Sequence, residues 1–142
     1  MGNHSSNTSM KINYEDVQFI LKHHDGHLLI NTLSENEQHC LIAHTVSIQQ
    51  EEQLVNACLA QGRKDVRIVI YGKNCNDDRA IAKYNQLTSL GFFHVYVYVG
   101  GLFEWLMLQD IYGENEFPTT KKELDILKYK PHKTLGVALI EY

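Results

Sequence analysis

The chain has 142 residues, 44% of them hydrophobic and 21% charged, with a formal net charge of -4. That length suits one domain with a sizeable core, and the acidic balance offers no basic field to nucleic acid. No apolar run reaches transmembrane length, because "HVYVYVGGLFEWLML" is interrupted by Gly100, Gly101 and Glu104.

The opening stretch, "MGNHSSNTSM", carries too little apolar surface to offset the entropy of ordering it. Residues 1–12 are therefore expected to be a disordered leader. Gly2 followed by Ser6 fits the pattern read by N-myristoyl transferases, which makes Gly2 a candidate lipidation site. Lys11 is the only basic residue before Lys22, and no cysteine precedes Cys40. A single chain on Gly2 would thus give marginal membrane contact, and the protein would divide between cytoplasm and membrane.

"YEDVQFILKHHDG" predicts a helix with Val17, Ile20 and Leu21 inward, Glu15 and Asp16 near its start, and Gly26 as its stop. The "HHDGH" run has the composition of a metal cluster. Adjacent His23 and His24 point to different sides of a helix, however, so the run reads as a solvated helix end and no metal is assigned. "HLLIN" is a short apolar run expected to be a strand buried on both faces. "LIAHTVSI" is expected to be a brief second strand. "QQEEQLVNACLAQG" predicts a helix with Leu54, Val55, Cys58 and Leu59 on one stripe. "VRIVIY" is the clearest strand, followed by the loop "GKNCNDD", the helix "DRAIAKYNQLTSLG", the strand "HVYVYV" and the helix "GGLFEWLMLQDIYG". The aromatic stripe of that last helix, with Tyr112 and Phe117, offers two readings, an exposed protein-binding face or core, and helical spacing favours core. Residues 13–113 thus form the domain, and 114–142 an extension. The extension holds a short amphipathic stretch around Leu124 and Leu127 and an apolar end expected to pack back on the domain. Cys40, Cys58 and Cys75 are an odd count without metal-ligand spacing, as in a cytoplasmic protein with reduced thiols.

Helices and strands alternate, with crossovers long enough for parallel pairing. The expected fold is a three-layer α/β/α domain around a central, mostly parallel sheet. Ligands of such sheets sit at the carboxyl ends of strands, so the loop after "VRIVIY" is the first place to look for a site.

The order of these motifs resembles the rhodanese-homology domain, from about Tyr14 to Tyr112. "LLINTL" looks like that family's first buried strand and "LIAHTVSI" like its "HIxGAxxI" segment. "IVIYGKNCNDDRAIAKYNQLTSLGFFHVYVYVGGLFEW" is similar to strand, active-site loop, helix, strand and closing "GG-x-x-x-W", with Gly100, Gly101 and Trp105 in place. The chain looks like a divergent branch found among protists and large DNA viruses.

The resemblance implies a sulfurtransferase loop reading C-x-x-G-x-R, in which a Cys thiolate carries a persulfide. Here Gly72 stands where the Cys is expected, Cys75 where the Gly is, and Asp77 where the Arg is. Asn31 and Leu33 likewise depart from the Asp-x-Arg that ends the first strand. The loop residues Gly72, Lys73, Asn74, Cys75, Asn76 and Asp77 therefore form a site-like loop without the family's nucleophile. Asp77 or Asn76 is expected to cap the following helix, occupying amides that an oxyanion would use. The expected function is a non-catalytic binding or regulatory module with an unidentified protein partner, no cofactor and no nucleic acid. The alternative is an atypical sulfurtransferase with persulfide on Cys75 and Arg79 nearby. A phosphatase of the same fold would also need Cys and Arg framing one loop.

Overall fold

A computed structural model of the protein describes residues 10–23 and 25–136. Gly2, the rest of the leader to residue 9, His24 and the apolar residues 137–142 lie outside the described residues. Among the described residues four parallel strands form one sheet: β1 (Lys11–Ile12), β2 (His27–Asn31), β3 (Arg67–Tyr71) and β4 (His94–Tyr98), in the order β1-β4-β3-β2. Four helices among them flank it: α1 (Tyr14–Lys22), α2 (Ile48–Ala60), α3 (Asp78–Ser89) and α4 (Gly101–Tyr112).

The strand period of two sorts the side chains into two cores. Leu29, Val69 and Tyr71 face α1 and α4, where Val17, Ile20, Leu102, Trp105 and Leu106 pack. Ile30, Ile68, Ile70, Val95 and Val97 face α2 and α3, meeting Val55, Cys58, Ala80 and Leu87. The sheet is the middle of three layers, as its unbroken apolar strands predicted. Register holds Ile30, Ile70 and Val97 side by side, so the strands end level at Asn31, Tyr71 and Tyr98. That level edge is where the loop after β3 begins.

Three elements differ from the sequence expectation. Lys11 and Ile12 belong to the sheet, pairing with Val97 and Tyr98, rather than to a leader. Two residues carry too little periodicity to announce a strand. Helix α1 ends before Gly26, with His23 as its C-cap. "LIAHTVSI" is not a strand: it makes one antiparallel bridge, Ile42 to Thr119, then turns and enters α2. Its partner is the extension, through Ala43 N–H to Pro118 C=O at 3.1 Å and Thr120 N–H to Leu41 C=O at 2.8 Å. A short antiparallel contact with a distant segment leaves no local signature to read.

The extension is built into the core. Phe117 and Tyr129 are buried with Trp105, whose indole N–H donates to Pro118 C=O at 3.1 Å. Gln109, itself buried, donates to Phe117 C=O at 2.8 Å. The amphipathic stretch is a 3-10 turn over Ile126–Tyr129 that buries Tyr129, whereas Leu124 and Leu127 point to solvent.

Candidate functional site

The loop 72–77 leaves the carboxyl end of β3 and ends at Asp77, the N-cap of α3. Sequence alone left Asp77 and Asn76 as alternative caps, and the geometry selects Asp77. Its carboxylate turns back into the loop, and its side chain is only 5% exposed. Oδ2 accepts the Lys73 N–H at 2.9 Å and the Thr32 hydroxyl at 3.2 Å. Oδ1 accepts the Arg79 N–H at 3.0 Å, and the Arg79 guanidinium grips both oxygens at 2.9 and 3.2 Å. Burial by itself would raise the Asp77 carboxyl. The hydrogen bonds from Arg79 and from the Lys73 and Arg79 N–H groups outweigh it and hold it below the usual carboxylate range.

Gly72 makes this arrangement possible. A Cβ there would lie 2.5 Å from Asp77 Oδ2 and 2.7 Å from Asp77 Cβ, well inside van der Waals contact. The space a side chain at position 72 would use is the space the Asp77 carboxylate fills. Gly101 answers a second close approach: its φ is +69°, and a Cβ would meet Gly72 C=O at 2.7 Å. That carbonyl and the next accept the Leu102 and Phe103 N–H groups, each at 2.9 Å, which fixes the loop to the start of α4.

The rest of the loop is tied on every side. Lys73 pairs with Glu37 at 2.6 Å, and Asn74 donates to Tyr129 C=O at 2.8 Å. Asn74 Oδ1 accepts the Asn76 N–H at 2.9 Å. Asn31 sits buried at the end of β2 and accepts from Leu33 N–H and Gln38, bracing the neighbouring turn. Leu33 is core. Cys75 is exposed at the loop tip, while Cys40 and Cys58 are buried. The structure pairs Arg79 with Asp77 and not with Cys75.

Thr32 and Tyr129 escaped the sequence reading. Both reach the loop from segments distant in sequence, so no spacing could reveal them. Among the described residues, His23 stacks on Phe19 at 4.4 Å, and His39 pairs with Glu123 at 2.7 Å. Among the described residues no group of three or more His, Cys, Asp or Glu could hold a metal ion. No described helix is long and apolar enough to cross a membrane.

The family model described as a rhodanese-like domain matches residues 17–108, a stretch that runs from within α1 to within α4 and takes in β2, β3 and β4. The chain belongs to this family. Among solved structures, this rhodanese-like domain is similar to the Alr3790 protein from Anabaena sp., at 21% identity and a TM-score of 0.58 over 82% of this chain and 97% of that one. It is similar to the BH2092 protein from Bacillus halodurans at 19% identity and a TM-score of 0.55, over 78% of this chain and 79% of that one. A thiosulfate sulfurtransferase from Pseudomonas aeruginosa matches at 17% identity and a TM-score of 0.54, over 68% of this chain and 18% of that one. At such identities these likenesses establish the shared fold of the rhodanese-like domain. No curated protein sequence matches it.

Proposed function

We propose that this rhodanese-like domain does not transfer sulfur and serves as a binding or regulatory module. The observation that carries the reading is the Asp77 carboxylate seated against Gly72. In the resemblance drawn above, position 72 is where the family's nucleophile stands. Here that place has no thiol, and the neighbouring amide and hydroxyl donors are already saturated by an internal carboxylate. An internal ligand has a high effective concentration, so a dilute external anion competes poorly for the same donors.

A sulfur-transfer assay from thiosulfate or mercaptopyruvate to cyanide tests this. Wild type should run at background, and Cys75→Ser should change nothing. A Cys75-dependent turnover, or a persulfide on Cys75 by mass spectrometry, would instead support the second reading, for which Cys75 exposure is the favouring observation. In that case the Cys75 thiolate takes the outer sulfur of thiosulfate and releases sulfite, and cyanide then removes that sulfur as thiocyanate. Tethering through Gly2, with division between cytoplasm and membrane, belongs to the same proposal and rests on the sequence pattern. Coexpression with an N-myristoyl transferase followed by intact-mass measurement, with Gly2→Ala as control, tests it.

A further inference from the structure

Where the end of α4 meets the start of α1, Tyr14, Tyr112 and Phe117 line a small surface cavity. Phe117 is buried and contacts Tyr14 at 5.6 Å between centroids and Tyr112 at 6.2 Å. The cavity measures about 220 Å³, and Glu15, Gln18 and Glu116 complete its lining. Gln18 donates to Glu116 C=O at 2.8 Å, which locks the two segments together. Both glutamates are exposed, and Tyr112 is 65% exposed. None of these residues belongs to the loop at 72–77.

We propose that this cavity binds an alkylammonium group, namely a lysine or methylated lysine side chain on a basic segment of a partner protein. Aromatic faces attract cations through their quadrupole, and a bulky, weakly hydrated ammonium loses least on leaving water. Two carboxylates at the rim supply the countercharge. The wider surface argues for a basic partner rather than an isolated small cation. Residues 109–117, from the end of α4 through Phe117, carry Asp110, Glu114 and Glu116 and no Lys or Arg. Next to the cavity, Ile111 is 66% exposed, which offers apolar contact to residues flanking the cation. Glu15 spends its carboxylate on only one long hydrogen bond among the described residues, from Asn13 at 3.4 Å. This site does not depend on whether the loop is active, so failure of one reading leaves the other standing.

The test is an NMR titration of the full chain with the N-acetylated, C-amidated peptide Gly-Arg-X-Gly-Ser, in which X is lysine, trimethyllysine or its neutral tert-butyl isostere. The ring resonances of Tyr14, Tyr112 and Phe117 should move with the cationic peptides, and the neutral isostere should bind at least about threefold more weakly. Tyr112→Ala should weaken binding about three- to tenfold, and Tyr112→Phe, which keeps the ring face, should retain it. Glu116→Gln should weaken binding and flatten its salt dependence. Equal binding of the neutral isostere, no movement at these rings, or unchanged affinity in Tyr112→Ala would overturn the proposal. Phosphatidylcholine vesicles form the second arm. If they move the same resonances and the peptides do not, the occupant is a lipid headgroup and the protein partner is wrong.

Discussion

At the residue scale, Gly72 and Asp77 are one feature read from two positions. A methyl group at position 72 meets the Asp77 carboxylate at 2.5 Å, so Gly72→Ala should destabilise the protein by about 1–3 kcal/mol. In Asp77→Gly the obstructing atoms are gone, and the cost of adding Gly72→Ala should shrink by about 1 kcal/mol or more. A double-mutant cycle by urea unfolding measures the coupling, and additive costs would mean that the two side chains do not share space. Asp77 also sets a pH dependence. Its folded carboxyl titrates below its unfolded value of about 3.9. The stability it contributes is therefore present above about pH 4 and is lost as pH falls through the depressed folded value. Asp77→Asn should cost about 1–3 kcal/mol at pH 7, with the gap to wild type narrowing below about pH 4. Unfolding curves at both pH values check this.

At the element scale, α4 is the hinge between site and extension. Its first turn receives the loop carbonyls of Gly72 and Lys73, and its middle holds the extension through Trp105 and Gln109. The Trp105 ring stands edge-on to both Tyr98 and Phe117, at 6.1 and 5.0 Å. The indole N–H matters beyond packing, because the Pro118 carbonyl it reaches also accepts the Ala43 N–H. Trp105→Phe should cost about 1–3 kcal/mol and speed amide exchange at Ala43 and Thr120, which bind that segment. Hydrogen exchange by mass spectrometry or NMR reads both. If exchange rose evenly through the sheet instead, the indole would be supporting global stability and not this junction.

At the scale of the whole molecule, the extension cannot be cut from the domain at Gly113. Phe117 and Tyr129 are 2% and 1% exposed inside the core, and Tyr129 C=O receives Asn74 of the site loop. Removing all of it strips two large rings from one face of the sheet, a loss of more than about 5 kcal/mol, comparable to the total stability of many domains. A 1–113 fragment should lack a cooperative thermal transition by circular dichroism. A fragment melting like the full chain would make the extension an appendage. The same wrapping explains the tied loop: its floor comes from β3, one wall from α4, and its outer brace from the extension.

The sequence by itself determined strands β2, β3 and β4 and their burial on both faces. An unbroken run such as "RIVIY", flanked by helices at crossover spacing, has one economical solution, a parallel strand covered on both sides. Asp77 or Asn76 ahead of the helix also made an N-cap legible, with the choice between them left open. Only the tertiary structure decided what lies around them. The bridge of Ile42 to Thr119, the Asn74 contact with Tyr129, and the approach of Tyr14 to Phe117 join residues from 55 to 103 positions apart. Periodicity reports which face of an element is buried, but not which distant segment buries it. The close approach at Gly72 was equally invisible until the path of the Asp77 side chain was known. The reason is physical: the cost of a Cβ depends on the atoms already occupying that space, and those atoms come from the folded chain.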